Sequence, residues 1–449
     1  MSSSAYIEES DDARRQMQSF FAMAQLGYKE SLYLDVTARN DWSSTLAFTE
    51  RKSRGFFYPS VGLSWIIPKS FSMPSLISFG KVRASWSKVG NDIPLFVSNT
   101  VGHIAAGGIP QPNDTAPFGT LKPEMSSSFE IGTEWKFFDY RMDVDLTFYK
   151  TNTKNQLFSL PSSAGAAYKY YFVNAGNIQN MGVELTFGAV PILTNQFKWN
   201  TTLNFSRNKN EVKKLHDDLA SFIQGDEGFS SSYTMRLVEG GSFGDIYGKA
   251  FERDKYGAIV YGRDGLPQEI GSGNTAKVGN CNPAFLLGWG NSFTYKDFSF
   301  YFLIDGHFGG DVLAQTQAVL DQTGVSKVSG EARTMGYVDL EGHHIYNIKG
   351  FYEQVGGRNG VTEYYMYDAT NIRLRELSLG YTLPKRLLGR KQFLKKAELS
   401  FVARNLFFIY KKAPFDPDAV LSASNSNQGI DIFGIPTTRS VGFNVKLSF

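Results

Sequence analysis

Apolar and polar residues alternate at every second position through most of the chain, as in β-strands that have one oily face. The first clear segment places Leu34 and Val36 on one side and the polar Asp35 between them on the other. The same alternation recurs at Val61, Leu63, Trp65 and Ile67; at Met142, Val144, Leu146 and Phe148; at Phe298, Phe300, Phe302 and Ile304; and at Val441, Phe443, Val445, Leu447 and Phe449. The pattern predicts an all-β protein built from antiparallel strands.

None of these oily registers contains a charged residue. A lysine or arginine that faces lipid at the bilayer midplane costs about 2–4 kcal/mol, whereas a soluble sandwich has less reason to exclude charge so consistently. We therefore expect the oily side chains to face hydrocarbon and their polar neighbours to line a wet interior.

The connections between the strands alternate in length. Short turns lie at residues 27–29, 139–140, 191–196 and 296–297, and long segments rich in Gly, Pro and Asn lie at 91–124, 158–180, 208–283, 306–367 and 411–436. Outer-membrane barrels have this asymmetry, with short periplasmic turns and longer extracellular loops. Sandwiches and jelly rolls do not impose it so regularly. The sequence thus predicts an antiparallel transmembrane β-barrel.

Counting in this way gives about thirteen strands, an odd number, whereas single-chain bacterial barrels mostly have an even number. The first and last strands would then be parallel where a barrel closes. An open edge in lipid leaves unpaired backbone groups, each of which costs several kcal/mol. We therefore expect a partial barrel that lacks some of its strands.

Composition and charge narrow the function. The 449 residues are 15% aromatic and carry a formal net charge of +3, with acids and bases well mixed, so we expect no nucleic-acid partner. Cys281 is the only cysteine in the sequence, which rules out an internal disulfide. No run approaches the roughly 18 apolar residues of a membrane-spanning helix. The polar, acidic start does not have the pattern of a secretory signal.

Eight segments of the chain occur in a fixed order, and this order identifies a family better than any single segment does. They are YLDVTARNDWSS at 33–44, FFYPSVGLSW at 56–65, KVRASWSKVGND at 81–92, LKPEMSSSFEIGTEWKFFDYR at 121–141, NAGNIQNMGVEL at 174–185, FKWNTTLNFSRNKNEV at 197–212, NIRLRELSLGYTLP at 371–384 and ARNLFFIY at 403–410. This succession resembles the barrels of SusC/RagA-like TonB-dependent outer-membrane transporters of Bacteroidetes.

The resemblance implies a signal peptide, a TonB-contacting segment, a plug domain and a barrel of roughly 22 strands. Residues 1–449 would be the C-terminal part of that barrel, without the plug, the signal peptide and the first strands. The resemblance further implies active import of an oligosaccharide or oligopeptide, TonB-driven plug movement and a SusD-like surface lipoprotein as a lid. The final strand, with Phe443, Val445, Leu447 and Phe449, resembles the C-terminal signal that the barrel-assembly machinery recognises; a simple interface aromatic is the alternative.

Candidate chemistry is sparse. The five histidines have no metal-ligand spacing, and we expect no metal, no cofactor and no catalytic residue. Asp254 with Asp264, or Asp416 with Asp418, could in principle act on a sugar or hold calcium, but nothing distinguishes either pair. Segments 212–222 and 312–320 have the apolar spacing of short helices.

Aromatic clusters in the long segments are the best candidates for substrate binding. They are Tyr168, Tyr170 and Tyr171, and Tyr364, Tyr365 and Tyr367. Their rings can stack on sugars or cover an extended ligand. The alternative is that they pack the loops together or form the interface girdle.

Two other classes of protein stay open at this point. A soluble all-β adhesin or glycan-binding protein would pack its apolar faces against one another. A surface enzyme would need a titratable pair in a loop pocket.

Overall fold

A computed structural model describes residues 14–47, 55–95, 97, 102–105, 109–111, 113–116, 121–162, 165–215, 221–223, 232–271, 273, 275–388, 394–422 and 427–449. Within these residues, thirteen strands form one sheet in which strands that follow one another along the chain are neighbours. The strands are β1 (Met17–Tyr28), β2 (Leu32–Ser43), β3 (Gly55–Ile66), β4 (Ile77–Asn91), β5 (Glu124–Phe137), β6 (Met142–Pro161), β7 (Tyr170–Leu193), β8 (Phe197–Lys214), β9 (Phe285–Tyr295), β10 (Phe298–Phe308), β11 (Asn371–Thr382), β12 (Lys396–Lys411) and β13 (Ser440–Ser448). The sheet confirms the prediction of an antiparallel, partial barrel.

The strand register places the oily positions together on one side of the sheet, which we call the apolar face. Leu34 of β2 lies opposite Leu26 of β1 and Leu63 of β3. At the other end of the sheet, Phe401 of β12 lies opposite Phe443 of β13. Phe443 is 75% exposed, so this face is not packed into a dry interior.

The opposite side, the polar face, carries the intervening residues and their hydrogen bonds. Gln25 Nε2 donates to Asp35 Oδ1 at 2.6 Å, and Arg39 Nε donates to Asp41 Oδ1 at 2.7 Å. Tyr58 also donates to Asp41. Successive side chains of a strand point to opposite sides of the sheet, so these hydrogen-bonded residues alternate in sequence with the residues of the apolar face.

Short and long connections alternate, as predicted. Tight turns join β1 to β2 and β5 to β6, with positive φ at Lys29 and Glu30 (49° and 51°) and at Phe138, Asp139 and Tyr140 (53°, 53° and 64°). Two boundaries differ from the prediction. The expected long segment 158–180 is mostly strand, because β6 continues to Pro161 and β7 begins at Tyr170.

The two predicted loop helices have different outcomes. The prediction for 212–222 is wrong in the described residues, since β8 continues to Lys214 and Ser221–Ile223 is a strand. The prediction for 312–320 is half right: a strand covers Asp311–Ala314 and helix α1 covers Gln315–Gln322. Val312 and Leu313 are buried by sheet pairing rather than along one side of a helix.

The long connections contain the remaining elements. The helices are α1, α2 (Lys327–Met335) and α3 (Ile348–Val355), with 3₁₀ turns at Ser44–Leu46, Ile67–Lys69, Thr362–Tyr365 and Lys385–Leu387. The small strands are His103–Ala105, Ile109–Gln111, Ser221–Ile223, Tyr233–Val238, Asp245–Gly248, Ala276–Asn280, Asp311–Ala314, Val338–Leu340, His343–Ile345, Met366–Asp368 and Ile430–Asp431. Among the described residues, no helix is long and apolar enough to cross a bilayer.

The chain divides into two compact units. The first contains residues 1–135, 147–181 and 212–219, with a small buried cluster that includes Leu46, Phe56 and Leu121. The second contains residues 136–146, 182–211 and 220–449, with a larger buried cluster in its long connections. The candidate site belongs to the second unit.

Candidate functional site

A cavity of about 470 Å³ lies on the polar face of β7 to β11. Its lining includes the charged or polar side chains of Glu184, Asn204, Asp305, His307, Arg375 and Asp418. Most of these residues lie in strands, where side chains alternate between the two sides of the sheet. The residues directly before and after them belong to the apolar face, so their own side chains point into the cavity.

Arg375 shares the polar face with Arg373, two residues earlier, and lies at a β-bulge in β11. Leu303 and Ile304 of β10 are adjacent but lie opposite Glu376 and Leu374, so Arg375 is an additional residue. The bulge has a sequence signature. The oily positions of β11 advance by two from Ile372 to Leu374 and then by three to Leu377.

The Arg375 guanidinium is held by three acceptors. Nε donates to Asp305 Oδ2 at 2.8 Å, Nη1 donates to Asn405 Oδ1 at 2.9 Å, and Nη2 lies 3.6 Å from Asp418 Oδ2. A planar guanidinium group that hydrogen-bonds several fixed partners retains little conformational freedom. Arg375 therefore presents a fixed positive charge to a cavity that also contains carboxylates.

Arg373, two residues earlier on the same face, is only 1% exposed. Its Nη2 lies 2.9 Å from Asp416 Oδ1 and 3.1 Å from Asp418 Oδ2, and its Nη1 donates to Thr437 Oγ1 at 3.0 Å. The guanidinium carbon lies 4.1 Å from the centre of the Phe408 ring. A buried ion pair of this kind is costly to break because the remaining charge stays uncompensated.

Asp416 is the second anchor of this network. Burial opposes its ionisation, but the side-chain and backbone hydrogen bonds from Thr437, the amide of Asp418 and the charge of Arg373 together hold the pKa of Asp416 below its ordinary value. Asp416 and Thr437 stand near the two ends of the connection between β12 and β13. The Arg373 network therefore closes the base of that loop.

The same loop joins two other long connections. Leu313 and Ala314 pair in parallel with Ile430 and Asp431. Gln428 Nε2 donates to the Phe243 carbonyl at 3.2 Å, and the Phe433 amide donates to Thr316 Oγ1 at 2.6 Å. We call residues 232–283, 309–370 and 412–439 the loop cap.

The loop cap has its own hydrophobic core. Phe351 of α3 is fully buried in this core. Each of the three connections contributes at least one buried side chain, namely Ile246, Leu313 and Ile430 in chain order. At its surface, Arg253 Nη2 lies 2.7 Å from both Glu341 Oε1 and Glu363 Oε1. Three separate stretches of chain thus form one packed structure.

The comparison with known families matches residues 3–406 to the model described as TonB dependent receptor-like, beta-barrel. The chain belongs to this family. TonB-dependent receptor P3 of Formosa agariphila is 26% identical to it, over 99% of this chain and 46% of the relative. TonB-dependent receptor SusC of Bacteroides thetaiotaomicron is 22% identical, over 99% of this chain and 46% of SusC.

Solved structures show the same fold. The structure of the RagAB peptide importer in the 'open-open' state superposes with a TM-score of 0.76 at 18% identity, covering 97% of this chain and 47% of that chain. The outer membrane transporter YddB from Escherichia coli gives a TM-score of 0.51 at 12% identity, covering 97% and 45%. The receptor chain spans about half the length of the curated relatives it matches.

These findings confirm the resemblance to SusC/RagA-like receptors and the location in the outer membrane. The family consists of transporters and not enzymes, which confirms the expectation of a non-enzyme. The exposed apolar face fits lipid. It disfavours the soluble adhesin, whose oily faces would pack against each other.

The receptor's two predicted aromatic clusters have different surroundings. Tyr168 and Tyr170 are exposed, at the turn into β7, and Tyr171 is half-buried. Tyr365 is 1% exposed in the core of the loop cap, where its ring contacts Tyr364 edge to face at 5.0 Å.

Burial shapes the second cluster. It raises the pKa of Tyr364, Tyr365 and Tyr367, and the Tyr367 hydroxyl donates to Gln317 Oε1 at 2.9 Å. This geometry favours the alternative that Tyr364, Tyr365 and Tyr367 pack the loops. Substrate contact stays a prediction for Tyr168, Tyr170 and Tyr171.

The four aspartates considered as possible sugar or calcium sites all have protein partners. Asp254 Oδ1 accepts from the amides of Tyr256 and Ala258, and Asp264 Oδ1 accepts from the amide of Leu266. Asp416 and Asp418 bind Arg373. The described residues contain no group of three or more His, Cys, Asp or Glu that could hold a metal ion.

The described histidines have different surroundings and do not form a cluster. The rings of His343 and Tyr261 stack at 4.0 Å, and those of His344 and Tyr337 stack at 4.0 Å. His307 lines the cavity, His216 lies outside the described residues, and the side chain of His103 is not described.

The last strand has the register that the sequence predicted. Phe443, Val445, Leu447 and Val441 lie opposite Phe401, Leu399, Ala397 and Ala403 of β12 on the apolar face. Recognition of Phe443, Val445, Leu447 and Phe449 by the assembly machinery stays a prediction.

Sequence reasoning missed the Arg373 and Arg375 network. Two signs were available: the three-residue step between Leu374 and Leu377, and the adjacent charges of Arg375 and Glu376, which interrupt the alternation of oily and polar residues in β11. The acidic partners could not be found in this way, because Asp416 and Asp418 come from a loop far along the chain.

Proposed function

We propose that this receptor chain forms the wall and extracellular loops of an outer-membrane importer for an oligomeric nutrient, either an oligosaccharide or an oligopeptide. The observation that carries the proposal is the cavity on the polar face, which the fixed charges of Arg375, Asp305 and Asp418 line next to the folded loop cap. Such a surface can bind a polar solute by differential contacts without covalent chemistry.

We propose that energy coupling depends on the part of the relatives' length that this chain does not match. Those relatives are about twice as long as this chain. We propose that a plug domain and further barrel strands lie in that additional part, and that TonB moves the plug. Family membership supports this proposal.

A SusD-like lipoprotein is the proposed lid over the loop cap. Support comes from the fold shared with the RagAB peptide importer, which has been solved in 'open-open' and 'closed-closed' states. A packed loop cap offers such a partner a preformed surface, which lowers the ordering cost of association.

Uptake of labelled cargo by cells tests the proposal. A strain that depends on the full-length receptor would be given fluorescent oligopeptides or oligosaccharides, with and without functional TonB. We expect accumulation of one class only, and only with TonB. Accumulation of neither class, or equal accumulation without TonB, would contradict an energised importer.

The cavity itself is tested by Arg375→Gln. Loss of one charge-assisted contact is worth about 1.5–3 kcal/mol, or roughly a 10- to 100-fold change in affinity for a cargo that uses it. Lys198→Gln is the matched control, because Lys198 is an exposed residue of β8 that does not line the cavity. Equal uptake by both variants would exclude the cavity from the import path.

A further inference from the structure

A short hairpin in the loop cap has two sides of different character. Its strands are Val338–Leu340 and His343–Ile345. Val338 lies opposite Ile345, and both side chains are buried in the core of the loop cap together with Leu340. Because side chains alternate along each strand, the intervening residues point away from that core. The hairpin is therefore held on the core by one side and presents the other side outward.

The outward side of the hairpin is aromatic. Tyr337 directly precedes the first strand, His344 lies in the second strand, and Tyr346 directly follows it. The rings of Tyr337 and His344 stack, with 4.0 Å between their centroids and 24° between their planes. The Tyr346 ring meets Tyr337 at 6.5 Å and 62°, and Tyr346 is 74% exposed. We call Tyr337, His344 and Tyr346 the aromatic corner.

The aromatic corner carries hydrogen-bonding groups that the protein does not use. Within the described part of the chain, no hydrogen bond involves the hydroxyls of Tyr337 and Tyr346 or the ring nitrogens of His344. Asp339 lies directly opposite His344 on the same side. Its Oδ1 accepts from the amide of Gly342 at 2.8 Å, which leaves Oδ2 for a ligand. Flat rings and polar groups are thus presented together.

The hairpin is rigid before any ligand binds. Its turn residues, Glu341 and Gly342, have positive φ of 52° and 86°, as a type I′ turn requires. Arg253 donates two hydrogen bonds to Glu341, from Nη1 to Oε2 at 3.0 Å and from Nη2 to Oε1 at 2.7 Å. The Tyr261 hydroxyl donates to the Leu340 carbonyl at 3.4 Å. A preformed surface of this kind loses little conformational freedom on binding.

We propose that the aromatic corner binds one ring of a neutral oligosaccharide. The proposal rests on the proposed function as an importer and narrows its cargo to sugars. One face of a sugar ring consists of C–H groups that stack on aromatic rings, and the hydroxyls at its edge bind acceptors such as Asp339 and the two tyrosine hydroxyls. The carboxylate of Asp339 repels an acidic sugar, which favours a neutral one.

Two other occupants fit this surface less well. A peptide that adds to a sheet edge needs a row of unpaired backbone groups, and each strand of the hairpin has only three residues. A stable protein interface buries about 800 Å² on each partner. An aromatic side chain buries about 150–250 Å², and two of the three rings already cover each other. The area of the aromatic corner suits a sugar ring.

Binding can be measured by isothermal titration calorimetry on the full-length receptor in a detergent without a sugar headgroup. The probes are maltohexaose, cellohexaose and laminarihexaose, with an oligogalacturonate as the acidic comparison. We expect at least one neutral probe to bind. Tyr346→Ala should weaken that binding about tenfold through loss of one ring contact. Tyr346→Phe retains the ring and should bind within about twofold of the original protein.

The matched control is Tyr256→Ala, which removes an 82% exposed tyrosine of the loop cap outside the aromatic corner. Equal losses in Tyr346→Ala and Tyr256→Ala, binding of no neutral probe, or equal binding of the oligogalacturonate would overturn the proposal. Weaker association of Tyr346→Ala with a surface lipoprotein, at unchanged sugar affinity, would also overturn it. Limited proteolysis of each variant distinguishes loss of binding from loss of the folded loop cap.

Failure of this site can be told apart from failure of the proposed import. TonB-dependent uptake together with unchanged sugar binding by Tyr346→Ala would reject the aromatic corner and retain the importer. Sugar binding that depends on Tyr346, without TonB-dependent uptake, would reject the importer and retain the binding site.

Discussion

Arg373 is the single side chain whose removal should do most damage to the loop between β12 and β13. Arg373→Met keeps the volume but leaves Asp416 buried without its cation. Such a change costs about 3–5 kcal/mol. We expect amide hydrogen exchange in residues 412–422 and 427–439 to rise strongly.

The control for this variant is Arg404→Met. Arg404 Nε lies 2.9 Å from Glu376 Oε2 in an exposed pair, which is typically worth under about 1 kcal/mol. Equal exchange in both variants would show that burial of Arg373 does not anchor the loop.

Acid should release the same loop through Asp416. The pKa of Asp416 in the folded protein is below its ordinary value of 3.8, so its ionised form favours the closed loop. That contribution is fully present above pH 3.8 and is lost as the pH falls through the lower, folded-state pKa. Limited proteolysis at stepwise lower pH should show the loop opening in this range.

Asp416→Asn provides the comparison. It should have a looser loop at neutral pH, with an acid dependence smaller than that of the original protein. An unchanged acid profile in Asp416→Asn would assign the opening to another carboxylate.

At the scale of elements, the two faces of β13 should respond oppositely to charge. Phe443→Lys places an ammonium on the apolar face and should cost about 2–4 kcal/mol near the bilayer midplane. Asn444→Lys, one residue later, points to the polar face and should be tolerated. The fraction of folded protein in outer membranes is the measurement, and similar losses would contradict the register.

Helix α3 supports the whole loop cap rather than its own connection alone. Phe351→Ala removes a fully buried ring and should cost about 3–5 kcal/mol. We expect proteolytic cleavage to increase together in residues 232–271, 309–370 and 427–439. Tyr346→Ala, at a position 74% exposed, should leave cleavage unchanged.

The strands could be predicted from the sequence because alternation reports directly on which side of a sheet a residue lies. The side of β2, β10 and β13 that faces outward can be read from the oily residues of each strand alone, without knowledge of residues distant in sequence. The helix predicted at 212–222 failed because oily residues spaced for a helix can equally continue a strand. The loop cap and the Arg373 network depend on contacts between segments distant in sequence, which local patterns do not contain.

For the whole molecule, the exposed apolar face predicts dependence on amphiphiles. Phe20, Phe443 and Val445 are each more than half exposed, and the oily positions around them extend across the sheet. Removing detergent from the purified receptor should cause association, measured by light scattering. A monodisperse, detergent-free monomer would support the soluble alternative instead.

The shared core of the loop cap has a consequence for how cargo preference can change. Each of the three connections contributes side chains to one shared buried cluster, so exchanging one connection with that of a relative leaves mismatched surfaces. A chimera should be productive when all three are transplanted as a set. Natural diversification is then expected to proceed by coordinated replacement, with the thirteen-stranded scaffold beneath left largely as it was.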